Sequence, residues 1–235
     1  MLLAKNETFD GVLLEYSRLY NGYFESQKWD HMSENELWYE LCLCILSSNV
    51  PYELAQSALA HLIENGYLSI EWITDTPKAE KKIAYELSRP IYLPRKINGF
   101  LRKYRFPNVR SKNIFKSART VASEKEWIRR VLVQSFSEEN ARSKLIEEIS
   151  GFGLKEASHF LRNIRYSKNL AIIDSHVISF LEDIDALGNL QIRILTPKIY
   201  LGLERSLQEI CRDYGLLLSI FDMAIWNYMR RMHEF

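Results

Sequence analysis

Along most of this chain apolar residues recur every three or four positions with polar residues between them, the spacing of helices packed on a core. Glu36 to Leu46 (ELWYELCLCIL) is apolar almost all round, which predicts a buried central helix. It stops at Ser47-Ser48-Asn49-Val50. Pro51 then opens a helix over Tyr52 to Glu64, which Asn65-Gly66 ends. Weaker periodicity predicts helix over Glu71 to Ser88, after which Pro90 and Pro94 break the chain. Further helices are predicted over Ser111 to Ala122, Glu124 to Phe136, Glu138 to Ile149, Leu154 to Ile164, and Asp174 to Leu181. Another starts at Thr196-Pro197, and Leu216 to Met229 closes the chain. No strand pair is evident, Leu170 to Ile173 reads as a buried connector, and residues 1–35 carry no assignment. The expected fold class is all-α.

Composition narrows the setting. With 235 residues, 47% apolar and 26% charged, the chain can bury one core or two small lobes, as a soluble globular protein does. No apolar run approaches the roughly 20 residues needed to cross a bilayer, so no membrane partner is expected. Met1-Leu-Leu-Ala-Lys-Asn-Glu lacks the layout of a signal peptide, so a cytoplasmic protein is expected. Cys42, Cys44 and Cys211 read as buried thiols; their spacing suits neither a zinc site nor an iron–sulfur cluster.

The net charge of +1 is uninformative, but its distribution is not. Between Glu86 and Glu124 there is no acid, while Arg89, Arg95, Lys96, Arg102, Lys103, Arg105, Arg110, Lys112, Lys116 and Arg119 all fall there. The other 21 Lys and Arg face 30 Asp and Glu, a balance of −9, so positive charge is concentrated as a phosphate-binding face requires. Phe100, Tyr104, Phe106 and Phe115 interleave with these charges and are read as core anchors.

The sharpest motif is Ile149-Ser150-Gly151-Phe152-Gly153-Leu154-Lys155-Glu156-Ala157. A helix ends, two glycines make a tight turn, and another helix begins: a helix-hairpin-helix. Gly151 and Gly153 permit unusual torsions and close approach, and the amides of the turn offer a seat for phosphate. Phe152 would plug the turn into the core. Lys155 falls in the first turn of the new helix, where the helix dipole and burial both favour the neutral amine. A neutral lysine can attack a sugar C1′ and form a Schiff base. Asp174 follows after nineteen residues. The helix carries the chain out by roughly 15 Å at about 1.5 Å per residue. Leu170 to Ile173 brings it back by roughly 13 Å at about 3.3 Å per residue. Asp174 is thereby delivered to a low-dielectric setting where a carboxylate stabilises an oxocarbenium-like sugar, and it also caps the helix that follows.

GFGLKEASHFLRNI, followed by AIIDSHV, closely resembles the helix-hairpin-helix/Gly-Pro-Asp superfamily of DNA glycosylases. Within it the likeness is to the type-2, archaeal-type 8-oxoguanine DNA glycosylase/lyases, from about Glu36 to the C-terminus. The resemblance implies that Lys155 is the nucleophile and Schiff-base former and that Asp174 assists it. It further implies that Asn49, in Ser47-Ser48-Asn49, enters the duplex and contacts the orphaned base. Family members often read Asp-Arg-His where this chain has Asp174-Ser175-His176; His176 is expected on a phosphate, with one neighbouring contact in doubt. Trp226 and the terminal residues resemble the family's base pocket, although type-2 members commonly end in lysine and this chain ends in Phe235. Reading the oxidised base needs an acceptor aimed at N7; Asp222, the Phe235 carboxylate and a main-chain carbonyl are all open. A monovalent cation on the hairpin carbonyls would fit the family, with no organic cofactor or catalytic metal.

The expectation is therefore two helical lobes, residues 31–164 and residues 1–30 plus 165–235, with an active-site cleft between them. The activity expected is excision of 8-oxoguanine from double-stranded DNA by a monomer acting on the nucleoid, with Arg110 and Lys112 among the DNA contacts. Action on another lesion or on abasic sites, a non-catalytic DNA-binding hairpin, and a helical protein-interaction module are the rival readings.

Overall fold

Helix dominates the residues that the computed structural model describes, 6–23, 28–92, 101–188 and 192–233. In chain order the helices are α1 (Glu7–Tyr23), α2 (Glu34–Ser47), α3 (Tyr52–Glu64), α4 (Ile70–Asp75), α5 (Ala79–Ser88) and α6 (Pro107–Val121). There follow α7 (Trp127–Val133), α8 (Glu138–Glu148), α9 (Leu154–Asn163), α10 (Ser175–Asp183), α11 (Pro197–Tyr214) and α12 (Leu218–His233). Between α5 and α6 lie two short antiparallel strands, β1 (Pro90–Tyr92) and β2 (Leu101–Lys103), with Ile91 opposite Arg102. No helix is long and apolar enough to cross a membrane among the described residues.

The chain divides into two units, Asp30–Phe160 and Met1–Trp29 with Leu161–Phe235. In the first, α2 is the buried centre, with Leu37, Trp38 and Leu41 to Leu46 all buried. It opens on a reciprocal cap, in which Ser33 Oγ accepts the Glu36 N–H at 3.3 Å and Glu36 Oε2 accepts the Ser33 N–H at 2.6 Å. Several boundaries depart from expectation for local reasons. Pro77 excludes its predecessor from helical torsions, and Thr76 is extended, so the helix predicted over Glu71 to Ser88 is two helices, α4 and α5. Pro107 sits at the first position of α6 and starts it four residues early. Glu126, in the left-handed region at φ 52°, delays α7 to Trp127. The open amides at the start of α7 are then capped from α2, where the Glu34 carboxylate accepts Ile128 N–H at 2.7 Å and Arg129 N–H at 3.3 Å. The strand pair was not anticipated: at three residues each, with β2 exposed throughout, it has no buried face to produce alternation.

In the other unit, α1 packs along α12. A Cβ on Gly11 would lie 2.2 Å from the Tyr228 ring, so the two helices approach closely there. Tyr16 Oη accepts the Leu217 N–H at 3.0 Å, and the buried Glu15 accepts from Asn227 Nδ2 at 3.3 Å and from Arg231 at 2.6 Å. Residues 1–35, left unassigned from sequence, thus contain the helix that braces α12.

Leu170 to Ile173 is irregular and buried, and its four N–H groups and the Ala171 carbonyl are taken by side chains. Ser167 Oγ accepts Leu170 N–H at 3.1 Å, Glu204 Oε1 accepts Ala171 N–H at 3.0 Å, and Asp222 Oδ1 accepts Ile172 N–H at 3.3 Å. Tyr200 Oη accepts Ile173 N–H at 3.3 Å and donates to Ala171 O at 2.7 Å. Removing that hydroxyl in Tyr200→Phe orphans a buried N–H and a buried C=O in one step. A loss of about 2 kcal/mol is expected, measured as a lower urea midpoint without a change in slope.

Candidate active site and nucleic-acid interface

The turn that launches α9 is fixed by two bonds and one close approach. Ile149 O accepts Phe152 N–H at 3.2 Å, and Gly153 O accepts Ala157 N–H at 3.0 Å, the first bond of the helix. Gly151 has φ 86°, a torsion that favours glycine, and a Cβ there would lie 2.1 Å from Asn113 Nδ2 of α6 and push that side chain aside. Asn113 Oδ1 also accepts from Ser150 Oγ at 3.2 Å. Phe152 is 8% exposed with its ring 6.3 Å from that of Phe160, the expected plug.

Gly153 behaves differently from the expectation. Its φ is not in the left-handed region, and a Cβ would make only an ordinary contact at 3.4 Å with Glu156 Oε2. Its N–H donates to Glu156 Oε2 at 3.2 Å, the bond that a glutamate at the third helical position makes to an N-cap. The other oxygen, Glu156 Oε1, accepts from Ser48 Oγ at 2.7 Å. Sequence reading left Glu156 without a role, although the Gly153-x-x-Glu156 spacing signals the first of these bonds. Lys155, between the two, is half-buried at the second position of α9. The N–H groups of Leu154, Lys155 and Glu156 take no acceptor among the described residues, as at any open helix start.

Asn49 stands exposed just beyond α2 at φ 56°, a left-handed torsion that asparagine tolerates better than most residues. The carbonyls and hydroxyl leading to it are held on three sides. Tyr104 Oη donates to Leu46 O at 2.5 Å, Arg110 Nη2 donates to Ser48 O at 2.6 Å, and Ser48 Oγ donates to Glu156.

Arg110, expected among the DNA contacts, is 8% exposed, its guanidinium lies 5.6 Å over the Phe106 ring, and its Nη2 is engaged with the turn before Asn49. The remaining described basic residues of the segment, Arg89, Arg102, Lys103, Arg105, Lys112, Lys116 and Arg119, are exposed; Arg95, Lys96 and Phe100 lie outside the described residues. Lys112, Lys116 and Arg119 recur at helical spacing and form one basic stripe on α6. Tyr104 is buried as an anchor, while Phe106 and Phe115 are half-buried.

In the other unit Asp174 caps α10. Its Oδ1 accepts His176 N–H at 2.9 Å and Val177 N–H at 3.0 Å, and Oδ2 accepts no hydrogen bond among the described residues of that unit. The His176 ring stands edge-on to Trp226, centroids 6.3 Å apart, and the Arg230 guanidinium lies 4.9 Å over Trp226.

Asp222 lies inside its unit. At 1% exposure it accepts from Arg162 Nη1 of α9 at 2.5 Å through Oδ2 and from Ile172 N–H at 3.3 Å through Oδ1. Phe235 lies outside the described residues. Among the described residues no group of three His, Cys, Asp or Glu could hold a metal ion. The three cysteines are buried and in no disulfide, and burial pushes the Cys211 thiol up to about 12.

With this geometry in hand, comparison with known proteins is specific. The family model for 8-oxoguanine DNA glycosylase matches residues 82–216. The 8-oxoguanine DNA glycosylase/AP lyase of Saccharolobus islandicus is 32% identical over 200 residues, covering 84% of each chain. The crystal structure of the 8-oxoguanine DNA glycosylase of Methanocaldococcus jannaschii superposes with a TM-score of 0.71 at 27% identity, over 95% of this chain and 92% of that one. The glycosylase/lyase of the same organism in complex with a 15mer DNA containing 8-oxoguanine gives 0.65 at 25% identity, over 93% and 87%.

Asp222 provides an electrostatic test. Burial outweighs Arg162 and, helped by the nearby Asp174, pushes its carboxyl from an ordinary 3.8 up to about 6. The folded chain thus holds a proton that the unfolded chain releases between those values. The stability this contributes is complete below the lower one and is lost as pH rises through the upper. Unfolding midpoints taken across pH 4 to 7 should show the wild type losing ground to Asp222→Asn as pH rises; parallel curves would contradict the assignment.

Proposed function

Because the chain belongs to the 8-oxoguanine DNA glycosylase family, we propose that it excises 8-oxoguanine from double-stranded DNA and cleaves the resulting site, as a bifunctional glycosylase and AP lyase of base excision repair. The observation that carries this reading is the setting of Lys155. It opens a helix directly after a glycine turn, and the acid beside it, Glu156, is already bonded to Gly153 N–H and Ser48 Oγ. Within its unit, Lys155 makes no ion pair among the described residues, so its amine is not tied to an acid there.

The damaged nucleotide is flipped from the stack, and Asn49 fills the gap and contacts the orphaned base. The lone pair of Lys155 Nζ attacks C1′. The C1′–N bond breaks, and the base leaves with the electron pair and takes a proton. Asp174 stabilises the positive charge that develops on the sugar as this bond opens. Ring opening leaves a Schiff base between Nζ and C1′. Loss of a C2′ proton then drives β-elimination, breaking the C3′–O bond and releasing the 3′ phosphate strand. The open amides at the start of α9 and the stripe Lys112, Lys116 and Arg119 seat backbone phosphates, and His176 takes another. Trp226 helps form the base pocket. With Asp222 already holding Arg162 and Ile172 N–H, a main-chain carbonyl is the candidate acceptor for N7–H.

The Ser150, Gly151 and Phe152 carbonyls accept no hydrogen bond among the described residues, a hard-oxygen set suited to a monovalent cation. Such an ion would add positive charge beside a phosphate. The protein acts as a monomer in the cytoplasm, on the nucleoid.

Borohydride reduction on an 8-oxoguanine duplex tests the chemistry. Wild type should give a covalent protein–DNA adduct, Lys155→Gln none, and Asp174→Asn should slow excision by about 100-fold or more. Trapping on an abasic duplex but not on 8-oxoguanine would replace the glycosylase reading with that of a lyase. Absence of any adduct with intact, salt-sensitive duplex binding would leave a DNA-binding module.

A further inference from the structure

Glu156 joins two segments that are 108 residues apart. One oxygen closes on Gly153 N–H in the hairpin, and the other accepts from Ser48 Oγ, the residue before Asn49. The turn it reaches is otherwise awkward to hold. Asn49 is exposed and left-handed; Ser47 O at the end of α2 accepts the Val50 N–H at 3.2 Å and closes the main chain of the turn, while the Asn49 side chain makes no hydrogen bond among the described residues. Ser48 is 9% exposed, so its bond to a carboxylate is shielded and charge-assisted. Arg110 and Tyr104 grip the main chain of the same turn, at Ser48 O and Leu46 O. Glu156 is the member of this set that also touches the hairpin.

We propose that Glu156 is a positioning residue that couples the Asn49 wedge to the hairpin carrying Lys155, so that entry of the wedge into the duplex and seating of the hairpin on the strand occur in register. This rests on the function proposed above. A substrate without a duplex needs no wedge, and there the coupling should be idle. Two ways of cutting it differ usefully. Ser48→Ala removes the link to the turn but keeps the Glu156 bond to Gly153 N–H. Glu156→Ala removes both. Glu156→Gln can preserve both, since its carbonyl still accepts from Gly153 N–H and its NH2 can donate to the Ser48 hydroxyl.

The experiment uses full-length protein, first confirmed to trap on an 8-oxoguanine duplex. If the wild type does not trap, it is the proposed function that fails, not the coupling. Two signals are then followed: single-turnover excision, and the fluorescence of 2-aminopurine placed opposite the lesion, which reports wedge insertion. Ser48→Ala should lose about 10-fold in duplex excision, the scale of one charge-assisted bond. It should also lose the 2-aminopurine change, while trapping on a single-stranded abasic oligonucleotide stays within about twofold. Glu156→Ala should lose at least as much on the duplex, Glu156→Gln should recover most of it, and combining Ser48→Ala with Asn49→Ala should be no worse than Asn49→Ala alone. The proposal is overturned if Ser48→Ala keeps the full 2-aminopurine change, if its effect adds to that of Asn49→Ala, or if duplex and single strand suffer equally. Should Glu156→Ala fail to fold, the Ser48→Ala and Glu156→Gln arms still decide the matter.

Discussion

Buried backbone that is neither helix nor sheet must find a partner for each N–H and C=O group, or lose the free energy of a hydrogen bond at every orphan. The segments that place Asp174 and Asn49 are of this kind. Leu170 to Ile173 runs through the interior of its unit with no strand beside it, and Ser167, Glu204, Asp222 and Tyr200 supply what a sheet would. Ser47 to Val50 leaves α2 in a left-handed turn, and Tyr104, Arg110 and Glu156 supply its contacts. A reactive residue at the end of such a segment inherits a fixed place, because moving it would break several buried bonds at once.

The cost of this device is that it uses polar side chains which look functional. Arg110 and Asp222 both have the chemistry of a ligand-binding residue, and each gives a bond to buried backbone, Arg110 to Ser48 O and Asp222 to Ile172 N–H. The raised carboxyl of Asp222 shows that burying it is not free: desolvation wins over the nearby guanidinium. What is gained is that Ile172, two residues before Asp174, cannot drift.

The same reasoning explains what could be read from the residues alone. The long helices announce themselves through apolar spacing, and the glycine turn, Lys155 and Asp174 through local order along the chain. Caps are local as well, and Asp174 caps α10 as its position suggests. What escaped is what depends on residues distant in sequence. Arg110 sits among nine other basic residues, and nothing in that run marks it as the one facing inward. Tyr200 and Glu204 are ordinary members of an amphipathic helix until the buried segment lies against them. The strand pair has too few residues to show a period, and α1 is recognised as structural only through Gly11 against Tyr228. Thr76-Pro77 is the exception: its break was written locally and was passed over.

A lysine nucleophile faces a particular difficulty when an acid follows it in the same helical turn, as Glu156 follows Lys155. A carboxylate left free there would compete for the amine and favour its charged form, the form that cannot attack a sugar. Here the carboxylate keeps its charge but is turned to other partners through both oxygens, an amide that starts the helix and a hydroxyl from a remote turn, so it does not pair directly with the amine. One side chain can thereby serve three ends that pull in different directions: it caps the helix, it anchors the wedge, and it is kept away from its neighbour. A glutamine would meet the first two without posing the conflict at all. The retention of an acid is best understood through Ser48, whose buried hydroxyl gains a stronger bond to a carboxylate than to a neutral amide.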